Sequence, residues 1–377
     1  MPRISVVVPV YNVEGFVGDC LRSVAGQTLR DLEIVIVDDG STDASAEHIA
    51  AFAEREPRAR VITQANGGLG NARNVGLAAG NSDLVAFVDS DDVLPADALE
   101  RLSGSLDRTA SDLATGRVER LEPSGATHTA PFLRKTHSRT RRATHVTRFR
   151  WLVSDRVAWN KLWRRDFLER NELRFAEGMF HEDIPMVVPA HFLARTVDVV
   201  AHPVYRWRMR DGGERSITQH RLEERLLRDR VEAVRRVCDF LDERFPEAPA
   251  RRWYHESVLA EDLLNHLDVL DQAGDGYRRL FLDEAGALLE RFEPDVESRL
   301  PAIQRLKWHL VRRRLLDELV EVVRFEQSGG RGRTRWIGPR RYGDYPFLGE
   351  DRLGIPRSVY RTGELRRRAR HASTLLR

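Results

Sequence analysis

Three carboxylates fall within four positions at Asp89-Ser90-Asp91-Asp92, directly after the apolar run Leu84-Val85-Ala86-Phe87-Val88. That run is rich in β-branched and aromatic residues and reads as a strand buried on both faces. So much negative charge at the end of a buried strand is costly without a counter-charge, and it points to a bound cation. Hard divalent ions such as Mg2+ or Mn2+ take oxygen ligands and commonly share them with substrate phosphates. The position fits too, because open α/β sheets bind ligands beyond the carboxyl ends of their strands. The competing account is a solvated acidic turn ahead of a helix that begins near Pro95. A second acidic pair, Glu182-Asp183, opens an apolar helix over 184–193, where carboxylates also serve as partners of the helix dipole.

The elements around these groups alternate. Ile4 to Asn12 reads as a buried parallel strand ending in a Pro/Asn turn, 15–27 as a helix, and Leu32 to Val37 as a second strand. Ser41 or Thr42 is placed to cap a helix running to about Glu54. Val61 to Thr63 forms a short strand, and 71–79 a helix before the acid-tipped strand. Strand alternating with helix over the first hundred or so residues predicts a doubly wound, parallel α/β sheet. The Gly67-Gly68-x-Gly70 loop does not follow the first strand and lacks GxGxxG spacing, so a dinucleotide site is excluded. No GxxxxGK[ST] phosphate loop is present, which argues against kinase or ATPase chemistry.

Four segments occur in order, each at a strand end or helix start: Val8-Pro9-Val10-Tyr11-Asn12, Val37-Asp38-Asp39-Gly40-Ser41-Thr42-Asp43, Gly70-Asn71-Ala72-Arg73-Asn74-Val75-Gly76, and Asp89-Ser90-Asp91-Asp92. Together they resemble the bacterial family 2 inverting glycosyltransferases of the GT-A fold, over about residues 3–218. Later segments, among them Leu306-Lys307-Trp308-His309-Leu310 and Arg352-Leu353-Gly354-Ile355-Pro356, resemble the stretch that follows the transferase domain in teichoic-acid-type enzymes. The resemblance implies a mostly parallel, Rossmann-like GT-A sheet and a metal-dependent transfer. A sugar would move from a nucleotide donor, UDP-linked, to a hydroxyl of a cell-envelope glycan or polyol-phosphate acceptor. It implies Asp183 as general base, with Glu182 beside it as an acceptor or sugar ligand. Pro9, Tyr11, Asp39 and Asn66 would line the nucleoside pocket, and Arg73 would sit near the diphosphate or nucleoside. Asp91 would bind the metal directly, Asp89 would bind it through water or hold the ribose, and Asp92 would orient the donor sugar.

Three further stretches carry two accounts each. Val157-Ala158-Trp159-Asn160-Lys161-Leu162-Trp163 reads either as core packing or, by the resemblance, as the floor of the sugar site through Trp159 and Asn160. Tyr205-Arg206-Trp207-Arg208-Met209-Arg210 alternates cation with apolar residue, as a half-exposed edge strand does. The resemblance would instead place Arg208, Arg210 and Arg215 near the leaving diphosphate. A basic loop with Arg134, Lys135, Arg139, Arg141 and Arg142 is either solvated or faces an anionic acceptor or membrane.

The chain has 377 residues, and its domains are expected at 1–105 (nucleotide-sugar half), 106–218 (acceptor and catalytic half), 219–330 (α-helical) and 331–377 (Arg-rich tail). A net charge of +3 does not call for a nucleic-acid partner. The tail is different, with 13 Arg against 4 acids. Peripheral contact with an anionic membrane or polymer is expected there, although Tyr342, Tyr345, Phe347, Leu353, Ile355 and Tyr360 suggest that much of the tail packs. The two distant cysteines, an N-terminal apolar run too short for a signal peptide, and no stretch of about 18 apolar residues predict a cytoplasmic protein. Two other classes stay open: a sugar nucleotidyltransferase, and a wall-polymer-binding module without turnover.

Overall fold

A computed structural model describes residues 2–210, 222–293 and 295–362. Strands β1 (Ile4–Val10), β2 (Leu32–Asp38), β3 (Ala59–Thr63) and β4 (Leu84–Phe87) alternate with helices α1 (Val17–Ala25), α2 (Ser45–Ala53) and α3 (Leu69–Ala79). The strands pair in parallel in the order β3-β2-β1-β4. β1 and β2 are Val/Ile-rich, β4 is Leu-Val-Ala-Phe, and all three are buried along almost their whole length, as strands of a helix-covered sheet must be. Because they run the same way, with Val10 beside Asp38 and Val7 beside Phe87, the turns carrying Tyr11, Asp39 and Asp89 share one sheet edge.

Neither Ser41 nor Thr42 caps α2, which corrects that expectation. Ser41 Oγ accepts the Asn12 N–H at 3.3 Å, and the Thr42 N–H donates to Asn12 Oδ1 at 2.8 Å. These groups tie the turn after β2 to the turn after β1, and Asp43 Oδ1 takes the Ser45 N–H at 3.0 Å instead.

The next segment adds α4 (Ala98–Thr109), β5 (Leu113–Leu121), β6 (Thr127–Thr129), β7 (Arg141–Thr144), β8 (Lys161–Arg164), α5 (Arg165–Arg170), α6 (Ile184–Leu193) and β9 (Val197–Arg208). The sheet continues β4-β8-β5-β9-β7, with β8 antiparallel to both neighbours and β9 parallel to β5. The parallel half is the expected one; these additions make the nine-stranded sheet mixed. β9 is much longer than its apolar start, 197–200, suggests. Its distal half takes in the Tyr205–Arg208 alternation and reaches back to the acidic turn through a bridge between Arg206 and Val93.

From Glu224 to Gln327 the elements are helical, as the absence of strand patterns predicts: α7 (Glu224–Arg244), α8 (Pro249–Ser257), α9 (Leu264–Leu267), α10 (Asp275–Arg291), α11 (Ala302–Arg312) and α12 (Leu316–Gln327). A π-turn at Val258–Asp262 interrupts what reads as one helix over 249–272. A hairpin, β10 (Thr334–Ile337) and β11 (Arg340–Gly343), follows. Two compact units emerge, one from residues within 1–220 and 232–254, the other from residues within 221–231 and 255–377. In the second, Tyr342, Tyr345, Phe347 and Tyr360 are buried, and Arg305 Nε donates to the Val359 carbonyl at 3.1 Å. The described part of the tail therefore packs. The basic run 365–370 lies outside the described residues. No helix among the described residues is long and apolar enough to cross a membrane.

Candidate active site

Arg73 is the centre of the site. It lies on α3, 1% exposed, and its Nη2 donates to Asp89 Oδ1 at 2.5 Å while its Nη1 pairs with Glu182 Oε1. One guanidinium therefore joins the two acidic clusters. The glycines of Gly70-Asn71-Ala72-Arg73-Asn74-Val75-Gly76 explain how it gets there. A Cβ on Gly70 would stand 2.2 Å from the Ala176 carbonyl oxygen, and one on Gly76 would stand 2.2 Å from Val7 Cγ1. Only glycine lets α3 press between β1 and the 176–182 loop. Asn74 completes the join by exchanging hydrogen bonds of 3.0 Å with the Phe175 backbone N–H and C=O.

Arg73 is held charged well above its ordinary value: burial opposes the cation, but Asp89 and Glu182 overcome that. Glu182 is pushed up to about 7, chiefly by burial, with Asp183 adding to the rise and Arg73 opposing it. Burial also raises Asp89, against the pull of Arg73. Asp183 is half-buried beside Glu182 and opens α6, its carbonyl accepting the Met186 and Val187 N–H groups at 3.1 and 2.8 Å.

The end of β9 clasps the acidic turn. Asp92 is 1% exposed, and its carboxylate takes the Tyr205 hydroxyl at 2.7 Å and the Arg208 N–H at 2.7 Å. Those partners are internal, so Asp92 fastens strand to turn. Burial, reinforced by Asp91 and Asp89, raises it well above the carboxylate range. Arg208 Nε donates to the Asp91 carbonyl at 2.8 Å, and Arg210 donates to Asp91 Oδ2 from Nε and Nη2 at 3.0 and 2.7 Å. Both guanidiniums lie over the Phe16 ring. Arg215 lies outside the described residues.

The expected nucleoside wall lies on the adjoining strand ends. Pro9 is buried in β1, while Tyr11 is 48% exposed on the turn after it. Asp39 is nearly buried and accepts from Gln64 Nε2, the Gly67 N–H and the Gly68 N–H at 2.7–2.8 Å, which ties the loop carrying exposed Asn66 to β2. Trp159 stacks on Tyr205 with ring centroids 4.2 Å apart, placing it beside the clasp. Asn160 is 1% exposed, and its amide is bonded to Thr115, the Gly116 carbonyl and Lys161.

Residues 5–171 match the family described as Glycosyl transferase family 2, and residues 227–323 match the Glycosyl transferase TarS linker domain. The N-terminal part of the chain is thus similar to glycosyl transferase family 2. The Bacillus subtilis glycosyltransferase EpsJ is 35% identical over 216 residues, covering 55% of this chain and 61% of EpsJ. The Bacillus spizizenii poly(ribitol-phosphate) beta-glucosyltransferase is 28% identical over 221 residues, covering 56% of this chain and 33% of that protein. The chain thus matches about three fifths of the first relative's length and a third of the second's. The crystal structure of Staphylococcus aureus TarS 1-349 in complex with UDP-GlcNAc shares the fold, with a TM-score of 0.73 at 20% identity over 96% of this chain and 99% of that one.

Behind the acidic pair lies a polar network that includes Asn160, read from the sequence as a sugar-site residue, and four residues that sequence reasoning did not single out: Asp155, His137, His191 and Thr115. Asp155, Lys161, His137, His191, Thr115 and Asn160 are all buried. Lys161 Nζ donates to Asp155 Oδ1 at 2.5 Å, Thr115 Oγ1 donates to Asp155 Oδ2 at 2.6 Å, and His191 Nε2 on α6 lies 3.0 Å from the Asp155 carbonyl. The network pins α6, which carries Asp183 at its start. Burial alone would raise Asp155, but the Lys161 ammonium overrides it and takes the carboxyl down to about 2. Burial holds His137 and His191 at about 4, against 6.5 ordinarily, and the Lys161 charge adds to the effect.

These shifts set a pH dependence. Between pH 6.5 and 4 the unfolded chain protonates the two rings and the folded chain does not, so stability is lost as pH falls through that window. Asp155 adds a further loss from about 3.8 down to 2. Glu182 works the other way between 4.5 and 7, favouring the folded state at the acid end. Asp89 and Asp92, also raised by burial, act in the same sense as Glu182, so the histidine part is read by difference: between pH 6.5 and 4, acidification is expected to favour the fold of His191→Gln relative to wild type, shown by a more positive change in Tm. An equal change in the variant would remove His191 from this account.

Proposed function

We propose that the chain is a metal-dependent inverting glycosyltransferase that moves a sugar from a UDP-sugar to a hydroxyl of a polyol-phosphate polymer of the cell envelope. The observation that carries the reading is the Arg73 bridge, which puts the acidic turn and the Glu182-Asp183 pair on one guanidinium. Donor and acceptor classes come from the relatives: the TarS complex contains UDP-GlcNAc, and the Bacillus spizizenii enzyme acts on poly(ribitol-phosphate).

An acceptor hydroxyl is a weak nucleophile, so a carboxylate must take its proton as the new bond forms. Asp183 is assigned that role. Arg73 holds neighbouring Glu182 and so limits the negative charge around the base. On the leaving side the diphosphate departs with charge, and Arg208 and Arg210 already stand at the acidic turn to offset it.

The carboxylates fit a hard divalent ion. Asp91 and Asp89 would hold it, and it would supply charge neutralisation for the departing diphosphate. Among the described residues no three His, Cys, Asp or Glu side chains cluster to hold a metal unaided. Mg2+ and Mn2+ commonly keep one or two protein carboxylates and take substrate phosphates as further ligands. The purified protein is expected to hydrolyse a UDP-sugar slowly with Mn2+ and to stop on addition of EDTA. Asp91→Asn is expected to abolish that hydrolysis while leaving Tm near wild type, because Asp91 is only part-buried and pairs with the part-buried Arg210 rather than with the apolar core. Full activity in EDTA would remove the metal from the mechanism.

A further inference from the structure

The edge strand β7 and the turn after it form a second charged surface on the transferase unit, distinct from the acidic turn. Arg139, Arg141, Arg142 and Arg148, with Thr140 and Thr144, line an open cavity of about 390 Å³. None of the four guanidiniums has a carboxylate partner among the described residues, although ion pairs are abundant elsewhere in the chain. Their contacts are with carbonyls and a ring. Arg141 donates to the Arg139 carbonyl at 3.1 Å and lies 3.8 Å from the Phe149 ring centroid, and Arg148 donates to the Ala143 carbonyl at 3.1 Å.

The carboxylate nearby, Asp198, is fully buried and saturated by neutral donors: Ser105, Thr109, Ser111 and the Ala143 N–H. The Ala143 bond holds that residue at φ +46°, in the left-handed region that a non-glycine residue adopts only when its surroundings impose it. The strand is therefore fastened in a shape that leaves its cations outward and unneutralised. Partial burial and the Arg139 charge lower the Arg141 guanidinium, a repulsion that a bound anion would relieve.

Arg141 pairs with Val199 at the start of β9, whereas Arg208, at the other end of that strand, clasps the acidic turn. The separation is roughly 20 Å, because β9 bulges between Val200 and Tyr205 and the stretch from Thr115 to Leu121 on β5 covers the same distance. A single donor or acceptor unit does not span that distance, but a polymer does. The cavity is concave, and none of its lining side chains is a large apolar group suited to entering a bilayer. Forked guanidiniums match phosphate oxygens two at a time.

We propose that this cavity is an anchoring site for the phosphodiester backbone of the acceptor polymer, gripping repeats distant from the one being glycosylated. The inference rests on the polyol-phosphate acceptor of the proposed function. It makes affinity depend on chain length: a long chain engages both sites, and a short one engages only the reaction centre.

The test compares wild type with Arg139→Ala/Arg142→Ala/Arg148→Ala, three exposed positions whose loss leaves the core intact. Labelled long polyol-phosphate chains and the corresponding dimer are titrated in equilibrium binding, alongside UDP-sugar hydrolysis. The triple variant is expected to bind the long chain at least about tenfold more weakly, with dimer affinity and hydrolysis unchanged. Long-chain affinity equal to wild type overturns the proposal. So does a variant that keeps the polymer but loses binding to phosphatidylglycerol vesicles, which would make the face a membrane site. Wild-type protein that binds the long chain through these arginines yet transfers no sugar to it would sink the acceptor reading and leave the anchor standing.

Discussion

Asp183→Asn is expected to lower sugar transfer by about 100- to 10,000-fold, the range general bases contribute. The substitution keeps the side chain's size and hydrogen-bonding capacity but removes its ability to take a proton. Asp183 holds the start of α6 through its main-chain carbonyl, which the variant retains, so Tm is expected to stay close to wild type. Affinity for the UDP-sugar should change only a few-fold, because the base acts on the acceptor and not on the donor. Transfer kinetics at saturating donor, with donor affinity measured separately, read the two effects apart. A variant that keeps its maximal rate but loses donor binding would move Asp183 from the acceptor side to the donor side.

Arg73→Met carries the largest expected effect on the fold. Methionine fills much of the same space but leaves Asp89 and Glu182 without their shared cation. Removing one member of a buried ion pair typically costs about 3–5 kcal/mol. The loss should deepen as pH rises, since it is the ionised carboxylates that lack a partner; at acid pH both protonate and the deficit shrinks. Adding Glu182→Gln to Arg73→Met should restore part of the stability by removing one orphaned charge. Arg73→Lys is not expected to rescue, because a single ammonium cannot reproduce the two-sided fork. Thermal unfolding of the three variants across pH 5 to 8 checks this. A single variant as stable as wild type at pH 8 would show that the bridge is not structural, and UDP-sugar hydrolysis unimpaired in it would remove Arg73 from the site.

Much of the chemistry was legible before any coordinates, for a local reason. β1, β2 and β4 are continuous apolar runs, and each stops in turn-forming or acidic residues within a few positions. Such signals need only neighbours along the chain, and they placed Tyr11, Asp39 and Asp89–Asp92 at strand ends. The parallel pairing that lines those ends up follows from strand alternating with helix. The Glu182-Asp183 pair was equally visible at the start of an apolar helix, and the helical C-terminal region follows from helix patterns unbroken by strands.

Only the tertiary structure decided which of these groups meet. Arg73 and Glu182 are 109 residues apart, and Tyr205 and Asp92 are 113 apart. Nothing in either neighbourhood records the other, because their pairing depends on how α3 and β9 are pressed against the sheet. β8 has four residues, too few for a periodic pattern, yet it is the strand that joins the two halves. Asp155, His137 and His191 look like solvated polar residues when read singly. Burial turns them into a network, since polar groups taken from water must find one another. The Tyr205 alternation did carry a signal, because period two puts that ring on the inner face of an extended segment. What it could not show is that the inner face ends against Asp92, which only the folding of β9 back onto the acidic turn brings about.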